Sequence, residues 1–359
     1  MNLPLLLFAL ASLALVIVFA YLVSEAKRQG ARTPDHPQEA TFVDLDSGGG
    51  SDGGAAATAA AAAEKLRAFG SIFDEPSLDI SFVVPMYNEE ERLPIMMEEA
   101  LAYAVARREA QPAWTCEFVL VDDGSKDTTV ALATEIGRRH RAAVGAAGFA
   151  ACSVRVLRLA VNHGKGGAVR KGMLRARGAL LLMVDADGAT KFADLEQLEA
   201  SLEQQPQGGG GGGGGLRSQI AVGSRAHLAE TSKASRSLFR TVLMHGFHLF
   251  VGLISGVKGV EDTQCGFKLF TRRVGRRLFP SQHIERWAFD VELLFLASRC
   301  GAGPVREVAV NWSEIDGSKL DVVSDSIKMA RDLLLIRFCY LTTLWALDER
   351  AAPSKSKSD

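Results

Sequence analysis

The sequence predicts an α/β protein: a mostly parallel sheet with helices on both faces, preceded by one N-terminal transmembrane helix. Short β-branched and apolar runs recur at 80–84, 118–121, 154–159, 180–184 and 220–222, and their lengths suit buried strands. Helical patterns fill the intervals, starting near Glu89, Asp127, Lys165 and Asp194, and this alternation is how parallel strands joined by helical crossovers read. Ahead of them residues 3–23 carry no charge, close to the roughly 20 apolar residues that cross a hydrocarbon core as a helix.

That N-terminal run reads as an anchor over 1–24. A cleaved signal peptide fits less well, because no Lys or Arg precedes the run, it is too long, and no clean Ala-x-Ala site closes it. Lys27, Arg28 and Arg32 follow the span, so the positive-inside bias directs the rest of the chain to the cytosol. Residues 25–75, rich in Gly, Ala and Ser, read as a flexible tether with a short helix near 61–69, since they lack the apolar side chains that offset ordering entropy. One large α/β domain follows at 76–325, interrupted by the glycine run 208–215, a surface insert with no side chains to bury. Residues 326–348 mix Lys328, Arg331 and Arg337 with Leu333, Leu334, Leu335 and Ile336, a helix suited to a membrane surface or to the core, and 349–359 form a polar tail.

Charge and cysteine content exclude several classes. A formal net charge of −1 gives no global field for nucleic acid, so any anion is recognised locally. Five scattered cysteines without Cys-x-x-Cys spacing argue against a disulfide framework and a zinc site, and fit a reducing compartment. Nothing in the sequence fixes an oligomeric state.

In open parallel sheets ligands sit at the carboxyl ends of strands. The first strand leads into Pro85-Met86-Tyr87-Asn88-Glu89, where the proline is expected to halt it and Tyr87 and Asn88 offer a planar face and an amide. A capped strand-to-helix turn uses the same residues. The second leads into Asp122-Asp123-Gly124-Ser125, whose carboxylates suit a uracil N–H or ribose hydroxyls and equally suit a turn. The third leads into Asn162-His163-Gly164-Lys165-Gly166-Gly167, a glycine-rich loop opening a helix, where backbone N–H groups and Lys165 suit a diphosphate. It lacks P-loop spacing, and the first strand lacks Gly-x-Gly-x-x-Gly, which argues against an ATPase and a nicotinamide dehydrogenase.

The fourth strand is the most informative. The apolar run 180–184 ends in Asp185-Ala186-Asp187-Gly188. Carboxylates at i and i+2 of an extended segment project to one side and repel unless a cation or proton joins them. Mg²⁺ or Mn²⁺ held by Asp185 and Asp187 resolves the repulsion and bridges a substrate diphosphate.

Together 84–89, 121–125 and 185–187 resemble the inverting GT-A glycosyltransferases of family 2. The segments 262–268 (Asp-Thr-Gln-Cys-Gly-Phe-Lys), 285–292 and 311–319 are similar to those of the dolichyl-phosphate β-glucosyltransferases. The resemblance implies a Rossmann-like GT-A fold and transfer of glucose from UDP-glucose to dolichyl phosphate at the cytosolic face of the endoplasmic reticulum membrane, for N-glycan assembly. The dolichyl-phosphate mannose synthases, which use GDP-mannose, are the nearest rival reading. It further implies donor contacts from Pro85, Tyr87, Asn88, Glu89, Asp122, Asp123, Lys165, Asp185, Gln264 and Lys268. Catalytic roles fall to Asp185, Asp187, Arg225 and Asp290, with Arg225 expected at the acceptor phosphate, as an arginine fork suits that group. Arg236, Arg240 and Lys268 are further acceptor-phosphate candidates, and Asp262, Asp290 and Glu292 candidates for orienting sugar hydroxyls or shaping the acceptor site. The apolar stretch 238–254 is expected to lie against the lipid bilayer.

Overall fold

The computed structural model describes residues 3–30, 35–43, 66–204, 218–231, 260–315 and 322–348. The expected tail 349–359, the glycine run 208–215, the stretch 238–254, Arg236 and Arg240 lie outside these residues. The predicted alternation is present: β3 (Leu78–Met86), α2 (Leu93–Ala110), β4 (Cys116–Asp122), α3 (Thr129–Ala151), β5 (Cys152–Arg158), α4 (Lys165–Met173), β6 (Gly178–Val184), α5 (Leu195–Glu203) and β7 (Ile220–Ser224). A short α6 (Ala226–Thr231) precedes β8 (Phe267–Thr271), α7 (Arg272–Ser281), α8 (Phe289–Cys300), β9 (Val305–Ala309) and α9 (Val322–Leu341).

Seven strands form one sheet in the order β5-β4-β3-β6-β8-β7-β9. All pairings are parallel except those of β8, which runs antiparallel to both β6 and β7. Alternate residues feed two separate cores, as a sheet covered on both faces requires. On one face Val83, Val121, Leu181 and Met183 meet α4, α7, α8 and α9. On the other Phe82, Val84, Phe118, Leu120 and Leu182 meet α2, α3 and α5, with Phe82 and Phe118 stacked at 4.6 Å. Helix α4 lies flush on the sheet at Gly172, where a Cβ would stand 2.5 Å from Val83 Cγ1 and 2.7 Å from Val121 Cγ2. Reversal of β8 carries its lead-in, 262–266, to the same edge as the carboxyl ends of β3, β4 and β6.

Several expectations need correcting. Strand β3 does not stop before Pro85 but runs through it to Met86, Pro85 lying opposite Val121. The helix expected near 61–69 is, where described, strand β2 (Leu66–Ala68), paired antiparallel with β1 (Thr41–Val43). The tether expected over 25–75 is folded wherever it is described: Glu25 and Ala26 are buried, 37–40 form a 3-10 turn, and Ile72 is fully buried in a core. Apolar content alone missed these residues because buried ion pairs and backbone hydrogen bonds hold much of the segment.

Helix α1 (Leu3–Gly30) contains the expected span, but the side chains of residues 3–15 lie outside the description. Among the described residues no helix is long and apolar enough to cross a membrane. The second half of α1 rests on α9 and the segment after it: Phe19 meets Phe338 edge-on at 5.6 Å, Arg331 lies 3.7 Å from Glu25, and Trp345 Nε1, beyond the end of α9, donates to the Ala26 carbonyl at 3.1 Å. Helix α9 therefore has a core face, with Leu333, Leu335, Ile336 and Cys339 buried, and an exposed apolar face at Ile327, Leu334 and Leu341. All five cysteines are free thiols.

Candidate active site

Asp185 is the first residue beyond β6, and its N–H donates to the Gly266 carbonyl at 3.1 Å. Ala186 is buried at 4 % exposure, whereas Asp185 and Asp187 are both partly exposed, so the two carboxylates share the solvent side of the strand end. Asp187 Oδ1 accepts the Ala189 N–H at 3.0 Å around Gly188, whose φ of 73° is inexpensive only for glycine. Burial, and then the neighbouring Asp185 charge, push the Asp187 carboxyl above its ordinary value. Lys165, the first residue of α4, lies with its Nζ 2.6 Å from Asp185 Oδ1. Burial acts to lower the Lys165 amine, but Asp185 and Asp290 outweigh it and hold the amine above its ordinary value.

Next to this pair, Lys268 on β8 is 1 % exposed; its ammonium bonds Asp290 and the Cys265 carbonyl at 2.9 Å. Lys268 is thus directed at Asp290 rather than at open solvent. Gly266 stands so close to Asp185 that a Cβ there would fall inside the Asp185 carboxylate. Glu292, two residues on from Asp290 in α8 and so on the opposite side of the helix, is fully buried and accepts N–H bonds from His283 and Ile284 and a bond from the Tyr340 hydroxyl, so it fixes the α7–α8 connection.

Arg225, directly after β7, forks onto Asp262 at 2.7 and 2.9 Å, and its guanidinium lies 5.3 Å from the Trp312 ring centre. Its fork is engaged within the fold, and it fastens the 262–266 segment beside Asp185. Trp312 bridges Thr190, so the chain after β9 crosses the loop that carries Asp187. Gln264 reaches toward α9, its Nε2 4.0 Å from Met329 Sδ.

The turns after β3 and β4 are knitted together. Asn88, at φ 53°, accepts the Lys126 N–H at 2.8 Å, while its own N–H donates to Ser125 Oγ at 2.9 Å. Glu89 is buried and takes a two-pronged hold from Arg92 at 2.8 Å in each prong; Tyr87 and Pro85 remain partly exposed. Asp122 Oδ1 accepts the Ser125 N–H at 3.1 Å. Asp123 uses both oxygens, accepting the His163 and Gly164 N–H groups at 2.7 Å each, and so shapes the glycine-rich loop.

Burial raises the Asp123 carboxyl to about 7, despite those two N–H bonds, with Asp122 adding to the rise. Unfolded chains bind that proton near ~3.9, so ionising Asp123 costs stability progressively from about pH 4 up to about pH 7 and no further above it. The melting temperature of the wild type minus that of Asp123→Asn is therefore expected to fall between about pH 4 and about pH 7 and to level off above it. A difference that stays flat would show an unperturbed carboxyl.

Among the described residues no group of three or more His, Cys, Asp or Glu forms a metal cage. The donor set is two same-side carboxylates, one of them raised by burial and then by its neighbour's charge. That set fits a hard divalent ion, since Mg²⁺-type sites use one or two carboxylates and complete their shell with water and substrate phosphate.

The glycosyl transferase family 2 model matches residues 81–227, the stretch from β3 through the Asp185–Asp187 turn to the start of α6. A dolichyl-phosphate beta-glucosyltransferase of Drosophila melanogaster is 50 % identical over 79 % of this chain and 82 % of its own length. The human protein of that name is 50 % identical over 78 % and 81 %, and that of Saccharomyces cerevisiae 35 % identical over 91 % and 90 %. The chain belongs to the dolichyl-phosphate β-glucosyltransferases. Its sheet is of the GT-A type. In this glucosyltransferase the 262–268 segment, which no residue pattern tied to Asp185, proves to be its immediate neighbour through the β6–β8 pairing. Arg92, Gly266 and Trp312 had no assigned role in the sequence; their places depend on contacts between distant segments, and only the glycine just before an apolar run carried a local hint.

Proposed function

We propose that this enzyme transfers glucose from UDP-glucose to dolichyl phosphate with inversion, giving dolichyl β-D-glucosyl phosphate and UDP for N-glycan assembly. The observation that carries the reading is the same-side Asp185 and Asp187 pair facing Lys165 at the start of α4. Mg²⁺ or Mn²⁺ held by Asp185 and Asp187 would neutralise charge on the departing diphosphate. The N-terminus of α4 and the N–H groups of its glycine-rich loop favour the same anion. Lys165, once it yields Asp185, is within the same small site to meet a diphosphate oxygen. The bond from the anomeric carbon to UDP breaks as one forms to a phosphate oxygen of the acceptor. That oxygen is already anionic at neutral pH, because a phosphate monoester has a second pKa near ~6, so no strong general base is required. Alignment and charge then account for the rate.

The rest of the reading concerns place. The charge-free run 3–23 serves as a single N-terminal transmembrane anchor in the endoplasmic reticulum membrane, with the sheet on the cytosolic side. The exposed apolar residues of α9 and of α1 from Val16 to Tyr21 turn toward the bilayer, which keeps the site within reach of a lipid-borne phosphate. Full-length protein in detergent should transfer glucose from UDP-glucose to dolichyl phosphate in Mg²⁺ or Mn²⁺ and stop in EDTA. Transfer from GDP-mannose or UDP-N-acetylglucosamine in place of UDP-glucose would overturn the donor assignment.

A further inference from the structure

Residues 35–43, between α1 and the sheet, carry a charged cluster that the transfer chemistry leaves unused. Glu39 is 1 % exposed. Its Oε2 lies 2.6 Å from Lys171 Nζ, its Oε1 accepts the Ala160 N–H at 3.1 Å, and its carbonyl accepts from Arg175 Nε at 2.8 Å. Asp35 holds the same two cations, Lys171 at 2.7 Å and Arg175 at 3.0 Å. Beyond it Phe42 and Phe69 close over the Arg155 guanidinium at 5.1 and 5.0 Å. This is a built interface, and an ammonium as buried as that of Lys171 requires its partners.

The other end of α4 is the glycine-rich loop. His163, 4 % exposed, sits with one ring nitrogen 4.0 Å from Glu39 Oε1 and the other 3.5 Å from Glu285 Oε1. Glu39 therefore touches the β5–α4 connection before the loop at Ala160, within it at His163 and beyond it at Lys171. Helix α4 has nine residues, about 13 Å at helical rise. Such a short rigid rod passes a displacement at Lys171 on to Lys165 and the loop amides.

We propose that residues 35–43 are a strut between the N-terminal helix and the donor loop, and that Glu39 is the positioning residue that sets this loop against the donor diphosphate. The proposal rests on the UDP-glucose reading above. Glu39→Ala alone would leave the buried Lys171 charge with Asp35 as its one remaining carboxylate, so the test pairs it with Lys171→Met, and Glu39→Gln serves as the conservative variant. In full-length protein, Glu39→Ala/Lys171→Met should raise the KM for UDP-glucose about tenfold while kcat changes less than about threefold, since small misplacements of a binding loop are costly. Glu39→Gln, which keeps an acceptor for Ala160 but loses the charge that faces Lys171, should raise the KM and the exchange by a smaller factor, about threefold in KM.

Hydrogen exchange of the amides of residues 162–167 should accelerate in the double variant. A merely structural role would lower the melting temperature and leave KM and this exchange unmoved, and that result would overturn the proposal. If the double variant does not fold, unchanged KM and exchange in Glu39→Gln overturn it equally. Failure of the unmodified protein to use UDP-glucose would instead sink the donor reading, and the exchange comparison would still decide the strut.

Discussion

Asp187→Ala is expected to abolish glucosyl transfer while the protein still folds. The side chain is partly exposed and outside both hydrophobic cores. Its hydrogen bond from the Ala189 N–H contributes about 1.5 kcal/mol, the low end for bonds to a charged group, because the carboxylate is partly exposed. Against that loss stands the removal of a carboxylate whose ionisation burial and Asp185 both oppose, so the melting temperature should move by only a few degrees. The rate effect is of another order. On the proposed reading alanine removes one of the two carboxylates that would hold a cation at the diphosphate, and losing a preorganised charge at the leaving group costs on the order of a thousandfold or more. The check is transfer at saturating UDP-glucose and dolichyl phosphate alongside thermal melting. Activity within about tenfold of wild type in a folded variant would move the cation site away from Asp187.

Gly266→Ala should be nearly as damaging, although Gly266 has no side chain to do chemistry. The added Cβ would occupy the space of the Asp185 carboxylate, and the backbone cannot retreat freely because the Gly266 carbonyl accepts the Asp185 N–H and Phe267 is paired with Val184. The Asp185 side chain must rotate out, taking with it the contact to Lys165. A displacement of about 1 Å at such a group costs on the order of a hundredfold in kcat, and the larger change here should cost at least as much. Melting should show a smaller penalty, since Asp185 is partly exposed and free to move toward solvent. Wild-type kcat in Gly266→Ala would mean that Asp185 tolerates a second position, and with it that its closeness to Gly266 is incidental.

Much of this site was legible because chemistry concentrates at strand ends. The apolar run 180–184 closing on two carboxylates marks a same-side acidic pair from strand geometry alone, and the glycine-rich loop before Lys165 marks a helix start. What local pattern misjudged were residues whose partners lie far along the chain. Arg225 and Lys268 read as free cations for a phosphate, yet each is bound to a carboxylate, Asp262 and Asp290, tens of residues away in sequence. Asp123 read as a ligand contact and proves to be the acceptor that folds the loop after β5. Glu39 lay in a segment whose composition argues for a tether, because composition counts apolar side chains and cannot count buried ion pairs.

By itself, the sequence determined the alternation of strands and helices, the edge of the sheet at which the candidate site lies, and the acidic pair at the end of β6, since these follow from side-chain periodicity and like-charge repulsion along a single segment. Only the tertiary structure decided that β8 runs against its neighbours and so brings Gly266, Lys268 and Asp262 to that same edge, and that residues 35–43 brace α4 from below. Pairing direction and buried charge compensation are set by contacts between segments remote in the chain, where one segment's residues carry no record of their partners.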